Sequence, residues 1–231
     1  MSFLHWLYDS QLHVTGNQNV YWREIVGNAF GFASAIGGMR RRVWAWPVGI
    51  VGNVLLFTVF IAATFDHNAQ QPLFGQAGRQ VFFVITSVYG WWRWRQVKAA
   101  RDSDAPAITP RWATGAERMG FVLAWLAGVL IFQWVFSVIG AGFPAARWYY
   151  WCDAWIFVGS MVATYAMARG WNDFWLAWIA VDLVGVPLLW HSKYYATSVM
   201  YVAYAALVAG GFVVWLRATK REQPQLEEAL V

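Results

Sequence analysis

Residues 169–182 read RGWNDFWLAWIAVD, and residues 40–53 read RRRVWAWPVGIVGN. Arg169, Trp175 and Asp182 are separated by six and seven positions, and so are Arg40, Trp46 and Asn53. Trp175, Trp178 and Asp182 stand at i, i+3 and i+7. At about 100° per residue they fall within an arc of about 60°, so on a helix they share one face. Asp182 then lies about 12 Å into a helix that rises 1.5 Å per residue. At that depth in a bilayer a carboxylate costs about 2.5–3.5 kcal/mol on insertion scales, so it calls for a polar cavity or a partner. Two indoles a turn apart offer a flat, polarisable wall for a heteroaromatic ring or a cation. Asp182 can accept hydrogen bonds from hydroxyls or an amide, or neutralise a cationic ring. The plainer alternative puts both indoles in an interfacial belt and pairs Asp182 with a neighbouring helix.

Outward from this stretch, the chain is built of apolar runs. Of 231 residues, 59% are hydrophobic and 13% charged, against about 25% charged in a soluble domain, too few to cover a water-facing surface. Seven stretches approach the roughly 20 apolar residues that cross a hydrocarbon layer: 22–39, 48–65, 77–96, 117–139, 150–168, 174–191 and 195–217. Residues 1–20, with Trp6, Tyr8 and His13, are too short an apolar run to span and read as an interfacial segment. A basic n-region followed by an apolar h-region and a cleavage site is missing there, so the first helix is expected to stay in the mature protein.

The basic residues sit between the apolar runs, which orients helices and argues against nucleic-acid binding. With the N-terminus outside, 13 of the 17 fall on the inner side, among them Arg40, Arg41, Arg42, Arg93, Arg95, Arg169 and Arg217, and Arg23, Arg79, Arg147 and Lys193 remain outside. Residues 98–116 read as a solvated inner linker and 218–231 as a disordered inner tail. The divisions expected are therefore 1–20, a three-helix unit 21–97, the linker 98–116, a connecting helix 117–140, a second unit 148–217 and the tail. An odd connecting helix leaves both units in one orientation, a parallel 3+1+3 repeat, which places a substrate site near mid-membrane between them.

Further candidates line the remaining spans. Asn53 is the repeat mate of Asp182, with a purely packing hydrogen bond as its equal alternative. Gln80, Thr86 and Tyr89 on the third span and Tyr201 and Tyr204 on the seventh are weaker, since tyrosines near span ends more often anchor than bind. Gly27–Gly31, around Asn28, is a GxxxG pattern of close helix packing. Pro47 and Pro187 can kink the second and sixth spans. Gln133 reads as a packing or subunit-contact residue. Arg23 and Glu24 are explained by snorkelling, and Asp153, Asn172 and Asp173 are most simply solvated. Cys152 is a lone cysteine, and His5, His13, His67 and His191 lie at or beyond span ends. Neither a nucleophile–base pair nor a set of metal or haem ligands emerges, so no cofactor, metal or catalysis is expected.

The pattern Trp-x-x-Trp-x-x-x-Asp at 175–182, the WPVGIVGN stretch at 46–53, the YGWWRW ending at 89–94 and the 3+1+3 layout together resemble the PnuC family of bacterial vitamin transporters over residues 22–217. The resemblance implies a fold like full-length SWEET transporters, a homotrimer in the inner membrane, and facilitated diffusion of nicotinamide riboside, trapped inside by a cytoplasmic kinase. It implies that Trp175, Trp178 and Asp182 stack on and hydrogen-bond the substrate, with Trp46 and Asn53 as their mates. Asp182 departs from the Asn expected in many nicotinamide riboside carriers, which leaves room for another solute or for proton coupling. Relatives carry thiamine, riboflavin or deoxynucleosides. The Glu of thiamine carriers after the first Trp is here Leu176, which disfavours thiamine.

Overall fold

The structure, a computed structural model, describes residues 11–14, 18–65, 74–100, 106–139, 148–191 and 195–228. Trp6, Tyr8, His5, His67, Arg101, Arg147 and Lys193 fall outside them. A short antiparallel strand pair comes first among the described residues, β1 Gln11–Val14 with β2 Gln18–Tyr21, in the register Leu12 opposite Val20. Seven helices follow among the described residues: α1 Trp22–Met39, α2 Ala45–Phe65, α3 Phe74–Ala99, α4 Gly115–Ile139, α5 Trp148–Arg169, α6 Asp173–His191 and α7 Tyr195–Glu228. Six of them start within three residues of the expected spans or better. The seventh starts as expected and runs on past residue 217.

Neighbouring helices form a closed ring. α1 packs on α2, α2 on α3, α3 on α5, α5 on α6, α6 on α7, and α7 returns to α1. α4 lies outside, packed on α5. Glycines set the closest approaches. A Cβ at Gly27 would meet Leu56 and the Gly52 carbonyl, and one at Gly52 would lie 2.9 Å from the Gly27 carbonyl. The Gly27–Gly31 pattern therefore serves α1–α2 packing, as expected. Asn28 donates to the Glu24 carbonyl within its own helix.

The outer surface is apolar. Leu183 is 71% exposed, Val138 66% and Trp134 62%, the reverse of a surface made for water. α4 and the Tyr201–Glu222 part of α7 are long and apolar enough by composition alone to cross a membrane. Basic residues gather where the helices Trp22–Met39, Phe74–Ala99 and Trp148–Arg169 end.

That end, which carries Arg40–Arg42, Arg169 and Arg217, is closed by two features the sequence reading had wrong. The linker expected to be solvated over 98–116 is not so at residues 106–114. Instead Ala107, Ile108, Pro110 and Ala113 are buried, because the apolar AITPRWA run lies as a strap across both three-helix units. The tail from 218 was expected to be disordered, but α7 continues to Glu228. Thr219, 4% exposed, shares its one hydroxyl proton between the Trp215 carbonyl at 3.0 Å and the Pro110 carbonyl of the strap at 3.3 Å, so the start of the tail is held by packing.

The ends of α1 and α5 are capped alike. Arg41 N–H donates to the Gly38 carbonyl and Arg42 N–H to the Gly37 carbonyl. Gly170 N–H donates to Met167 and Trp171 N–H to Ala166, the same offsets. Both caps need a left-handed residue after the helix. Gly170 has φ 76° and Arg41 φ 55°, a conformation that costs a side-chain-bearing residue roughly 1–2 kcal/mol.

Candidate functional site

Above the strap stands a row of four indoles. Trp46 meets Trp94 edge-on at 5.2 Å, Trp94 lies 6.4 Å from Trp215, and Trp215 meets Trp175 edge-on at 6.0 Å between centroids. Gly90 and Gly211 make room for the outer pair: a Cβ on Gly90 would overlap the Trp46 ring and one on Gly211 the Trp175 ring. The inner pair is held crosswise. Trp94 Nε1 donates to the Ala168 carbonyl at the end of α5, and Trp215 Nε1 to the Gly38 and Met39 carbonyls at the end of α1. Trp46 and Trp175, each 3% exposed, are thus wedged into walls rather than displayed.

The second indole of the Trp175–Trp178–Asp182 face differs. Trp178 is half-buried and faces Phe83 of α3 at 6.3 Å. Asp182, one turn further from the basic end, is 8% exposed, and its Oδ2 has no hydrogen-bond partner among the described residues. Gln80, 3% exposed, also has its Oε1 unpartnered. α3 ends and α6 begins at the basic end, so the two helices run antiparallel. Gln80 lies one turn beyond Phe83, and Asp182 one turn beyond Trp178, in the same direction. The two orphaned oxygens therefore occupy one level of the ring. Buried acceptors without donors are costly, and a solute bringing N–H or O–H groups would satisfy both.

The other expected residues are placed less centrally. Asn53 is half-buried on α2. Thr86 turns its hydroxyl back onto the Phe82 carbonyl. Tyr89 stacks on Tyr165 of α5 at 5.9 Å. Tyr204 stacks on Phe32 of α1 at 4.2 Å, and Tyr201 packs against Gly185 and accepts a hydrogen bond from Arg79. These tyrosines join helices around the ring. A groove of about 300 Å³, lined by Trp148, Cys152, Leu183, Val184, Pro187 and Leu188, lies beside exposed Leu183 on another face of α6.

Asn172 and Asp173, expected to be solvated, are buried at 0% and 8%. The strap and the α7 extension cover them. Asn172 Nδ2 donates to Thr219, while Asp173 accepts from the Ala113 N–H and from Arg118 at 2.6 Å. Beside them Arg111 and Arg169 both lie over Trp171, at 5.7 and 5.3 Å. Arg111 also forks onto Glu117 at 2.7 Å, a bond that raises its already high pKa. The sequence signal for the Trp94 and Trp215 positions was present: Gly90 and Gly211 each stand four residues before a tryptophan.

Residues 21–217 match the family model described as nicotinamide mononucleotide transporter. The chain is 37% identical over 228 residues to the riboflavin/roseoflavin transporter RibM of Streptomyces davaonensis, covering 98% of this chain and 99% of that one. It is 21% identical over 229 residues to the nicotinamide riboside transporter PnuC of Escherichia coli, covering 89% of each. A crystal structure of the vitamin B3 transporter PnuC superposes with TM-score 0.64 at 19% identity, over 87% of this chain and 83% of that one.

Proposed function

The chain belongs to the nicotinamide mononucleotide transporter family, a family of multi-pass membrane vitamin transporters rather than enzymes, and from that premise we propose that it carries riboflavin by facilitated diffusion. The observation that carries this reading is the 37% identity, end to end, with a riboflavin/roseoflavin transporter, against 21% with the nicotinamide riboside transporter. The chemistry agrees. A neutral tricyclic ring can stack on Trp178, and its imide N–H or its ribityl hydroxyls can donate to Asp182 and Gln80.

Nicotinamide riboside, the solute expected from the family resemblance, is the second reading. It is favoured by the carboxylate at Asp182, which would neutralise its pyridinium. Either solute crosses as the two three-helix units rock about the shared level of Asp182 and Gln80. The matched caps, the crosswise Trp94 and Trp215 bonds and the ring order support a parallel 3+1+3, SWEET-like repeat. By its basic residues the strapped end is cytoplasmic, with the N-terminus outside, the first twenty residues at the interface and entry trapped by a cytoplasmic kinase. A homotrimer accompanies the family reading.

A thermal-shift screen of the purified protein with riboflavin, nicotinamide riboside, thiamine and deoxynucleosides tests the substrate. Riboflavin should stabilise the wild type, and Trp178→Ala should lose that stabilisation while keeping its unliganded melting temperature. Stabilisation by nicotinamide riboside alone would reverse the two readings. Uptake into liposomes should be saturable and indifferent to an imposed proton gradient. Uptake that needs the gradient would assign Asp182 a coupling role instead.

A further inference from the structure

At the basic end, three residues among those described make hydrogen bonds that tie α1–α3 to α5–α7 and the strap. Trp94 holds the α5 end and Trp215 the α1 end through neutral N–H bonds of 3.1–3.3 Å. The third is Arg41. Its Nη1 reaches both carboxylate oxygens of Glu222 on α7 at 2.7 and 2.8 Å, and the Ile108 carbonyl of the strap at 3.2 Å. The Arg41 carbonyl in turn accepts from the Ala107 N–H. Charge-assisted bonds are about twice as strong as neutral ones. The Arg41 side chain is only 12% exposed, and that of Glu222 29%, so water screens the pair incompletely.

The strap is fixed unequally. Its far half belongs to the second unit: Arg111 N–H donates to the Gly170 carbonyl, Asn172 N–H to the Arg111 carbonyl, and Ala113 N–H to Asp173. Its near half, Ala107 and Ile108, is bonded to Arg41 of the first unit. Ile108 also fills the space where a Cβ on Gly170 would stand, 2.7 Å from its Cδ1. It is therefore a wedge touching both helix caps. Opening this end by rocking of the units must part the α1 cap from the strap and from α7. The strap would leave with the second unit.

We propose that Arg41 is the latch of the basic-end gate. It is a positioning residue, not a solute ligand: its guanidinium ties the α1 cap to the strap and to the α7 extension, and release of that tie is what lets this end open. The cap position itself favours glycine, which stands at the equivalent Gly170. An arginine held at positive φ is thus kept for what its side chain reaches.

The inference rests on the chain being a carrier that opens at this end, and not on which vitamin it carries. Its test uses no solute. Arg41→Gly relieves the backbone and removes the latch, so folding is not at risk. Glu222→Gln leaves Arg41 in place and removes the charge it grips. Hydrogen exchange of the amides of residues 107–109 should be about tenfold faster in both variants, while those of 111–114, anchored on the second unit, should change far less. In a Cys152→Ser background, Met167→Cys, whose side chain abuts Gly38 across the units, should react several-fold faster with a bulky maleimide once Arg41→Gly is added. Unchanged exchange at 107–109 in either variant, or equal acceleration along the whole strap, would overturn the latch. Loss of riboflavin stabilisation with these results intact would instead sink the substrate reading alone.

Discussion

On the proposed repeat, the helices α1–α3 and α5–α7 agree at some corresponding positions and differ at others. Trp46, Gly90 and Trp94 in the first are matched by Trp175, Gly211 and Trp215 in the second, ring against ring and bond against bond. Two pairs break the match. Asn53, half-buried on α2, corresponds in sequence to Asp182, and Arg41 caps α1 where Gly170 caps α5. What corresponds is wedged: Trp94 and Trp215 are also hydrogen-bonded, while the buried Nε1 of Trp46 and of Trp175 has no partner among the described residues. What is not duplicated carries charge, and charge inside a membrane bundle is where function concentrates. The comparison separates scaffold from mechanism without reference to any ligand.

The duplicated part should give the largest stability effects. Gly211→Ala puts a methyl group into the Trp175 ring, and overpacking of that severity costs about 3 kcal/mol. A large fall in melting temperature in detergent is expected. Gly210→Ala, next door with open space around it, should leave melting unchanged. Equal behaviour of the two would mean that the indole row is looser than the structure has it.

The unmatched carboxylate comes next. Asp182→Asn makes the second unit resemble the first and removes a charged acceptor, a loss of about 2 kcal/mol, or roughly 30-fold in affinity for the solute. The fold should be untouched, since Oδ2 bonds to nothing among the described residues. Titration of the variant with riboflavin by fluorescence quenching checks this. A variant that binds as well as wild type but melts lower would return Asp182 to packing. The smallest effect belongs to the caps. Gly170→Ala combines φ 76° with crowding of Ile108 and should cost about 1–2 kcal/mol, read as a modest fall in melting temperature. No fall would mean that the strap lifts readily from α5.

The helices were legible because each is an apolar run bounded by charges, and neither length nor composition leaves another reading for residues 117–139. The helix face shared by Trp175, Trp178 and Asp182 was legible too, from spacing alone. Spacing could not tell a displayed indole from a wedged one. Trp175 and Trp178 look alike in sequence, and only Gly211 on a distant helix decides that Trp175 is walled in. The strap was misread because two prolines and mixed charges ordinarily mark solvent. Its burial depends on Asn172, Asp173 and Thr219, which lie 59 or more positions from Ala113 and meet it only once the ring has closed.

The crosswise tryptophans also bear on how the chain is made. Trp94 is synthesised with the first unit, but the Ala168 carbonyl it bonds is added 74 residues later. The α1 end waits for Trp215, about 176 residues after Met39. Neither half can complete its own indole bonds during translation. The nascent first unit is therefore an unfinished object until Trp215 has been added, and a chain truncated before residue 215 is expected to be a substrate for membrane quality control rather than a half-sized carrier.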